Sequence, residues 1–166
     1  MSWKTSALGL LTLALITAGA TANEPGKLRV GMQVEREITK RNDAGQVERR
    51  TEPVAAASRG DVLVYTLQIA NDGGDPALAA RVEDPVPAGT VLIPDSAGGT
   101  GTRITYSIDG GKTFVVYPAL RRVVGEDGVA RELPVPAEDY THVRWTLTEA
   151  LDPGQVRTAY FKVRVE

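Results

Sequence analysis

Residues 60–90, GDVLVYTLQIANDGGDPALAARVEDPVPAGT, carry the pattern that decides the fold. Apolar side chains recur at every second position from Leu63 to Ile69, which is the period of a half-buried strand. The Asn-Asp-Gly-Gly run at 71–74 favours a turn, because Gly reaches positive φ freely and Asn and Asp tolerate it. Val82 starts a second extended run, which ends at the prolines of 85–89 because proline has no N–H to continue a central ladder. The stretch therefore predicts half of a β-sandwich.

Extended runs separated by turn signals recur along the rest of the chain. The predicted strands and excursions are 28–38, 46–52, 91–93, 103–108, 113–117, 140–147 and 159–165, with a looser excursion over 120–136 that turns at 126–128. No stretch after residue 22 has helical periodicity, and no internal repeat is present. About eight or nine strands spaced by turn signals predict one antiparallel β-sandwich domain over residues 23–166.

The core of this sandwich is predicted from alternation in two late segments. YTHVRWTL at 140–147 places Trp145 on the apolar face of its strand and His142 on the other face. The final strand turns Phe161 inward, together with Ala159, Val163 and Val165. An indole buried between two sheets contributes more apolar area than any other side chain of this chain. Trp145 is therefore the expected centre of the core.

Residues 1–22 have the composition of a cleaved signal peptide. Lys4 supplies the positive n-region, residues 7–18 form the apolar core, and Ala20-Thr21-Ala22 matches a small-x-small cleavage site. The apolar run is short for a membrane span of about 20 residues, although a retained N-terminal anchor is the alternative. The expected product is exported, to the periplasm or beyond the cell.

Composition restricts the functions of the mature chain. Without the leader, the formal net charge is 18 − 21 = −3, and the chain contains no cysteine. A mildly acidic balance argues against nucleic acid and against anionic membrane surfaces as partners. Without cysteine there are no disulfides, no lipid-modified cysteine and no cysteine chemistry. The core must therefore supply the stability alone, which a chain of about 150 residues can do.

GDVLVYTLQIAN followed by VEDPVPAGTVLI resembles the conserved-repeat domain family of bacterial surface and secreted proteins, domain of unknown function eleven. The matching positions are Gly60, Asp61, Tyr65, Thr66, Asn71, Asp84, Val86, Pro87, Gly89 and Thr90. Residues 151–155, LDPGQ, are similar to the turn that precedes the family's last strand. The resemblance covers residues 28–166 and implies an immunoglobulin-like sandwich outside a bacterial membrane. It brings no catalytic residues.

Residues 107–114, SIDGGKTF, match the Asp-box pattern S-x-D-x-G-x-T-[WF]. In such a turn the carboxylate, here of Asp109, accepts backbone N–H groups, while glycines such as Gly110 and Gly111 take positive φ. A single copy does not indicate a propeller, which needs one sheet for each blade. We expect a structural role in the turn; contact with a sugar is the alternative.

Residues suited to catalysis or metal binding are few. His142 is the single histidine, and none of Ser58, Ser96 and Ser107 lies in a G-x-S-x-G elbow. No enzymatic activity and no cofactor are therefore expected. Calcium binds six to eight oxygens from flexible loops, and the candidate ligands, although no calcium-loop spacing is present, are Asp72, Asp75 and Asp84.

Two groups of basic residues suggest alternative partners. The hairpin ITKRNDAGQVERR at 38–50 reads either as a charged edge that blocks aggregation or as a docking finger for an acidic glycan or protein. A basic strip on one outer face is the second group, formed by Arg121, Arg122, Arg144, Lys162 and Arg164 near Tyr140 and Tyr160. Exposed charges that keep a sheet face soluble are the simpler interpretation.

These features together predict a non-catalytic, exported structural or interaction module of the bacterial cell envelope. Its expected partner is another envelope or surface protein, bound through edge strands or end loops. A carbohydrate-binding module is the alternative, and a small hydrolase is a third hypothesis.

Overall fold

The structure, a computed structural model, describes residues 27–166, so the predicted leader at 1–22 lies outside the described residues. The described chain forms eleven strands and one 3-10 turn. In chain order these are β1 (Leu28–Arg41), β2 (Val47–Pro53), β3 (Val62–Asn71), β4 (Arg81–Pro85), β5 (Thr90–Leu92), β6 (Gly98–Gly99), β7 (Thr102–Ser107), β8 (Leu120–Val124), β9 (Ala130–Pro134), the 3-10 turn (Ala137–Asp139), β10 (His142–Leu147) and β11 (Val156–Val165). The predicted all-β sandwich with antiparallel sheets is confirmed.

Two antiparallel sheets enclose the core. Sheet one has the order β2-β1-β3-β11-β5, with β6 also paired to β11, and sheet two has the order β4-β10-β7. Trp145 from sheet two is fully buried and lies 5.8 Å from the ring of Phe161 in sheet one. Phe161 in turn stacks on Tyr65 at 5.0 Å. These three rings connect the two sheets and occupy the inward positions that alternation predicts.

The central strand β3 is buried on its inner face and partly covered on its outer face, where Gln68 is exposed. Its inner face contributes Leu67 and Ile69, both fully buried. On its outer face Val64 is only 9% exposed, and its cross-strand partner in β11 is Lys162. The Lys162 ammonium reaches across to form an ion pair with Glu37 of β1, so its aliphatic stem crosses β3 beside Val64.

A buried asparagine fixes the turn that follows β3. Asn71 is fully buried, and its Nδ2 donates to the carbonyl oxygens of Asp75 (2.7 Å) and Leu151 (2.8 Å). Its Oδ1 accepts the N–H of Gly73 at 3.0 Å. The donor and the acceptor of the amide are thus both hydrogen-bonded inside the protein. Their backbone partners belong to two separate loops, the one after β3 and the one before β11. This gives the Asn of the turn signal a structural role at the end of the core.

The short strand β6 closes the side of the sandwich. Gly98 pairs with Tyr160 of β11, and its carbonyl oxygen accepts the Nε1–H of Trp145 at 3.0 Å. The Tyr160 ring lies directly against Gly98, where a Cβ would be 2.4 Å from the ring. The backbone of segment 98–99 therefore pairs with sheet one and also accepts the hydrogen bond of the buried indole N–H from sheet two.

Two expectations for the segment 113–136 need correction. Residues 113–117 do not form a strand; only Val115 exchanges backbone hydrogen bonds with Tyr106, at 2.8 and 2.9 Å. The chain then leaves the sheet towards Pro118, which has no N–H with which to extend the ladder. The looser excursion over 120–136 is a regular hairpin of β8 and β9, although it turns where the sequence predicts.

Trp145→Ala should reduce the free energy of unfolding by about 3–5 kcal/mol, because it removes the ring that joins the two sheets and leaves a cavity. Urea denaturation measures the change. Val156→Ala is the matched control, since Val156 is 57% exposed, and it should change stability by no more than about 0.5 kcal/mol. Equal effects of the two substitutions would contradict the central position of Trp145.

Candidate protein-binding surface

The hairpin formed by β8 and β9, residues 120–134, projects from the sandwich and is called the arm below. Within residues 27–166 its two strands pair only with each other, and every residue in both strands is exposed. Gly125, Asp127 and Val129 form the tip, where the Gly125 N–H donates to the Val129 carbonyl at 3.0 Å. An isolated two-stranded hairpin is marginally stable in water. A partner that covers the arm would therefore stabilise the hairpin by burying its exposed side chains.

Exposed apolar side chains concentrate on the arm and on the segment that leads into it. Of the thirteen large hydrophobic residues that are exposed in the described chain, eight lie between residues 115 and 133. They are Val115, Val116, Tyr117, Leu120, Val123, Val124, Val129 and Leu133. Singly scattered exposed apolar residues are ordinary, whereas a local concentration marks an interaction surface.

The charges of the arm are balanced within this part of the protein. Arg121 forms an ion pair with Asp139 at the base of the arm, and Arg131 lies 2.5 Å from Asp127 near its tip. Arg122 is directly opposite a glutamate in the strand register. Residues 120–134 contain three arginines and three acidic residues, so their net charge is zero. The arm thus presents an apolar surface that carries no net charge.

A cluster of three tyrosines holds the base of the arm. The rings of Tyr106, Tyr117 and Tyr140 lie 5.7–6.1 Å apart, and the Tyr140 hydroxyl accepts the N–H of Ala119 at 3.0 Å. The Val135 N–H donates to the Ala119 carbonyl at 2.9 Å, which closes the two ends of the arm. Burial raises the pKa of Tyr106 to about 12, so its hydroxyl stays protonated. Tyr140 is 3% exposed, which corrects its expected place on an outer face.

The Asp-box turn has the geometry that its sequence predicts. The Asp109 carboxylate accepts the Ser107 hydroxyl at 2.7 Å, and it accepts the Thr113 N–H and hydroxyl at 2.9 and 2.6 Å. These hydrogen bonds hold the pKa of Asp109 well below its usual range, with the Thr113 hydroxyl the largest cause. Gly110 and Gly111 have φ of 75° and 83°, where a Cβ would be strained. Both oxygens of the Asp109 carboxylate thus accept hydrogen bonds from residues of the same turn.

Side chains beside this turn contact residues of the adjacent strands. The Arg144 guanidinium lies 3.4 Å from the centre of the Phe114 ring, and it forms an ion pair with Glu83 at 2.8 Å. His142 Nδ1 lies 3.1 Å from the hydroxyl of Thr141. Ser107 lies directly opposite His142 in the strand register, and its hydroxyl donates to Asp109. The sequence does not predict the stacking of Phe114 on Arg144, because it depends on sheet packing.

The expected calcium ligands do not come together. Asp72 lies after β3 and forms an ion pair with Arg29 at 2.7 Å, and the hydrogen bond from Arg29 lowers the pKa of Asp72. Asp84 is buried on β4, and Asp75 lies in the exposed loop between the two strands. In residues 27–166 no group of three or more His, Asp or Glu side chains is placed to hold a metal ion.

The expected basic surfaces are also divided by the fold. Arg144 belongs to sheet two, whereas Lys162 and Arg164 belong to sheet one, so the five cations do not form one strip. In the finger at 38–50, Arg50 forms an ion pair with Glu48 at 2.7 Å. That finger is therefore a mixed-charge edge in this structure.

A shallow groove of about 380 Å³ lies between β5, the end of β11 and the 3-10 turn. The charged side chains that line it are Arg59, Glu138, Arg164 and Glu166, and the run 91–94 contributes apolar residues. Both signs of charge occur at its mouth, and His142 is not among its lining residues. It offers no arrangement of acid, base and nucleophile comparable to a catalytic site.

Comparison of the chain with protein-family models, with curated proteins and with solved structures gives no match. The resemblance to the conserved-repeat domain family stays a prediction from the sequence.

Excision of the arm tests whether the sandwich depends on it. Replacement of residues 120–134 by Asn-Gly between Ala119 and Val135 should change the free energy of unfolding by about 1 kcal/mol or less, because only exposed contacts and two surface ion pairs are lost. Urea denaturation followed by Trp145 fluorescence measures the change. A loss of more than about 3 kcal/mol, as for a core truncation, would show that the arm is part of the core.

Asp109→Ala should lower the urea midpoint at neutral pH, because the turn loses its hydrogen-bond acceptor. A carboxyl with a lowered pKa stabilises the fold above its ordinary pKa of about 3.9 and loses this effect as the pH falls. The difference between wild type and variant should therefore shrink below about pH 4. Lys112→Ala is the control in the same turn, and a difference that is constant with pH would contradict the role of the carboxylate.

Proposed function

We propose that this protein is a non-catalytic interaction module of the bacterial cell envelope, with the arm and the lead-in at 115–117 as its contact surface. The observation that supports this proposal is the concentration of exposed apolar side chains on a hairpin whose strands pair with nothing else in the described chain. The sandwich already has a closed core without these residues. Their apolar character therefore needs an explanation outside the fold.

The chemistry of the arm favours a protein as its partner. Residues 120–134 have no net charge, which suits neither a nucleic acid nor an acidic glycan, since both bind basic surfaces. Valine and leucine side chains on both faces of the hairpin suit an apolar cleft that encloses it. The outer edges of β8 and β9 also offer backbone groups for strand addition. The proposed partner is an envelope protein with an apolar groove bordered by a free strand edge.

Carbohydrate binding is the second candidate, since sugars stack on exposed aromatic rings. Tyr117 and Tyr160 are 39% and 42% exposed. The Phe114 ring, by contrast, is covered by Arg144. Two separate exposed tyrosines support this function less strongly than the apolar arm supports a protein contact.

Export is proposed from residues 1–22, whose composition is that of a signal peptide. Within the described part of the chain, no helix has the length and apolar character that a bilayer-spanning helix needs. We propose the periplasm or the extracellular space as the location of the mature domain.

Site-specific photo-crosslinking in envelope extracts tests the arm. A crosslinker at Val124 should give a discrete protein adduct, whereas one at Val156 should not. Val124 and Val156 are 64% and 57% exposed, so accessibility is matched. Val123→Glu combined with Leu133→Glu should remove the adduct and weaken binding of the purified partner at least about tenfold, or about 1.4 kcal/mol, without a change in the urea midpoint.

Three results would contradict the proposal. Equal adducts at Val124 and Val156 would show non-specific contact, and no adduct at either position would leave the arm without a protein partner in the envelope. Specific glycan-array binding that Tyr160→Ala abolishes would favour the carbohydrate-binding alternative.

A further inference from the structure

One carboxylic acid of the core has no partner for its charge. Asp84 is 2% exposed, and its Oδ2 is buried with no hydrogen-bond partner among the described residues. Asp84 shares the inner face of β4 with Val82, because side chains alternate along a strand. Buried polar groups are hydrogen-bonded in nearly all cases, and a buried unpaired charge is costly. The environment of Asp84 therefore favours the protonated, neutral carboxyl over the carboxylate.

The inner faces around Asp84 supply no cation for it. Directly opposite on β10 is Val143, and the other inward residues of that strand are Trp145 and Leu147. On β3 the titratable group that faces Asp84 is Tyr65, and the Asp84 charge raises the pKa of that hydroxyl further, after burial. The inward cation of β1 is Arg36, which is engaged by Glu52 and Asp61.

The strand that carries Asp84 is weakly held. Among the described strands β4 is an edge strand that pairs only with β10, through five residue pairs. It ends at Pro85, which has no N–H for the ladder. On its outer face one ion pair, between Glu83 and Arg144, adds to the pairing. Just beyond the ends of β4, the Val86 N–H donates to the Thr141 carbonyl and the Leu147 N–H donates to the Ala80 carbonyl. Loss of favourable burial at Asp84 therefore acts on a strand that is attached along one edge.

We propose that β4 is a pH-controlled edge strand, which stays on β10 while the Asp84 carboxyl is protonated and opens locally when that carboxyl ionises. Opening gives the carboxylate access to water. It also uncovers the backbone groups of the β10 edge, which then offers a site for an added strand. This inference does not depend on the arm, which lies at another part of the fold.

The direction of the pH dependence follows from proton linkage. Burial raises the pKa of Asp84 to about 7, whereas an exposed Asp has a pKa of about 3.9. A raised pKa means that the closed state binds the proton more tightly than the open state. The closed state is therefore favoured most at low pH, its advantage falls about tenfold per pH unit between about pH 4 and pH 7, and it then levels off.

Hydrogen exchange of the intact mature domain tests this inference at about pH 5 and about pH 8, with correction for intrinsic exchange. In the wild type, the open fraction reported by amides of residues 81–84 and of the β10 edge should rise about one-hundredfold. Asp84→Asn should abolish this rise, because the amide stays neutral. Asp75→Asn removes an exposed charge from the preceding loop and should leave the rise unchanged.

Three outcomes would overturn the inference. A rise that persists in Asp84→Asn would assign it to another group, and a rise of equal size in β3 and β11 would indicate global unfolding. Carboxyl carbon chemical shifts of the wild type give an independent test that needs no variant. An Asp84 carboxyl that titrates below about pH 5, near the ordinary range of an aspartate, would also contradict the proposal.

Discussion

The contact of Trp145 with Phe161 is the interaction on which the rest of the structure depends. It is the place where sheet two meets sheet one, and Tyr65 extends it to the central strand β3. Each ring occupies an inward position because side chains alternate along a strand. A domain without disulfides depends on such a contact, since it has only apolar burial to offset the loss of chain entropy.

Because the stability of the domain comes from this core, residues that do not pack in the core are not constrained by the fold. Buried polar groups near the core donate to backbone carbonyls of other segments, as for Asn71 and the Trp145 indole. The arm makes no contribution to the core, so its sequence is not constrained by packing. Asp84 is the exception inside the sandwich, because a carboxyl oxygen there has no partner. The arm and Asp84 are thus the two features that the needs of the fold alone do not explain.

Sequence patterns predicted the parts of the fold that depend on local chemistry. Alternation placed Trp145 and Phe161 inward, and the Asp-box pattern predicted the hydrogen bonds of Asp109, because both act over a few residues. The exposure of the arm was not predicted, since valine pairs at 115–116 and 123–124 are as typical of a buried strand as of an exposed one. The burial of Asp84 also escaped prediction, although it shares the parity of Val82, because an acidic side chain is expected at a surface. The divided basic strip depends on which sheet each strand joins, and that is set by long-range pairing.

The pairing of β3 with β11 has a kinetic consequence. Tyr65 and Phe161 are neighbours in the sheet although 161 − 65 = 96 positions separate them. Domains dominated by such distant pairings fold slowly, over milliseconds to seconds, because a long loop must close before the contact forms. A nascent chain would hold β3 beside β1 but without β11 until residues 156–165 have been synthesised. In a polypeptide that crosses a membrane before it folds, this delay would keep the chain unfolded during translocation.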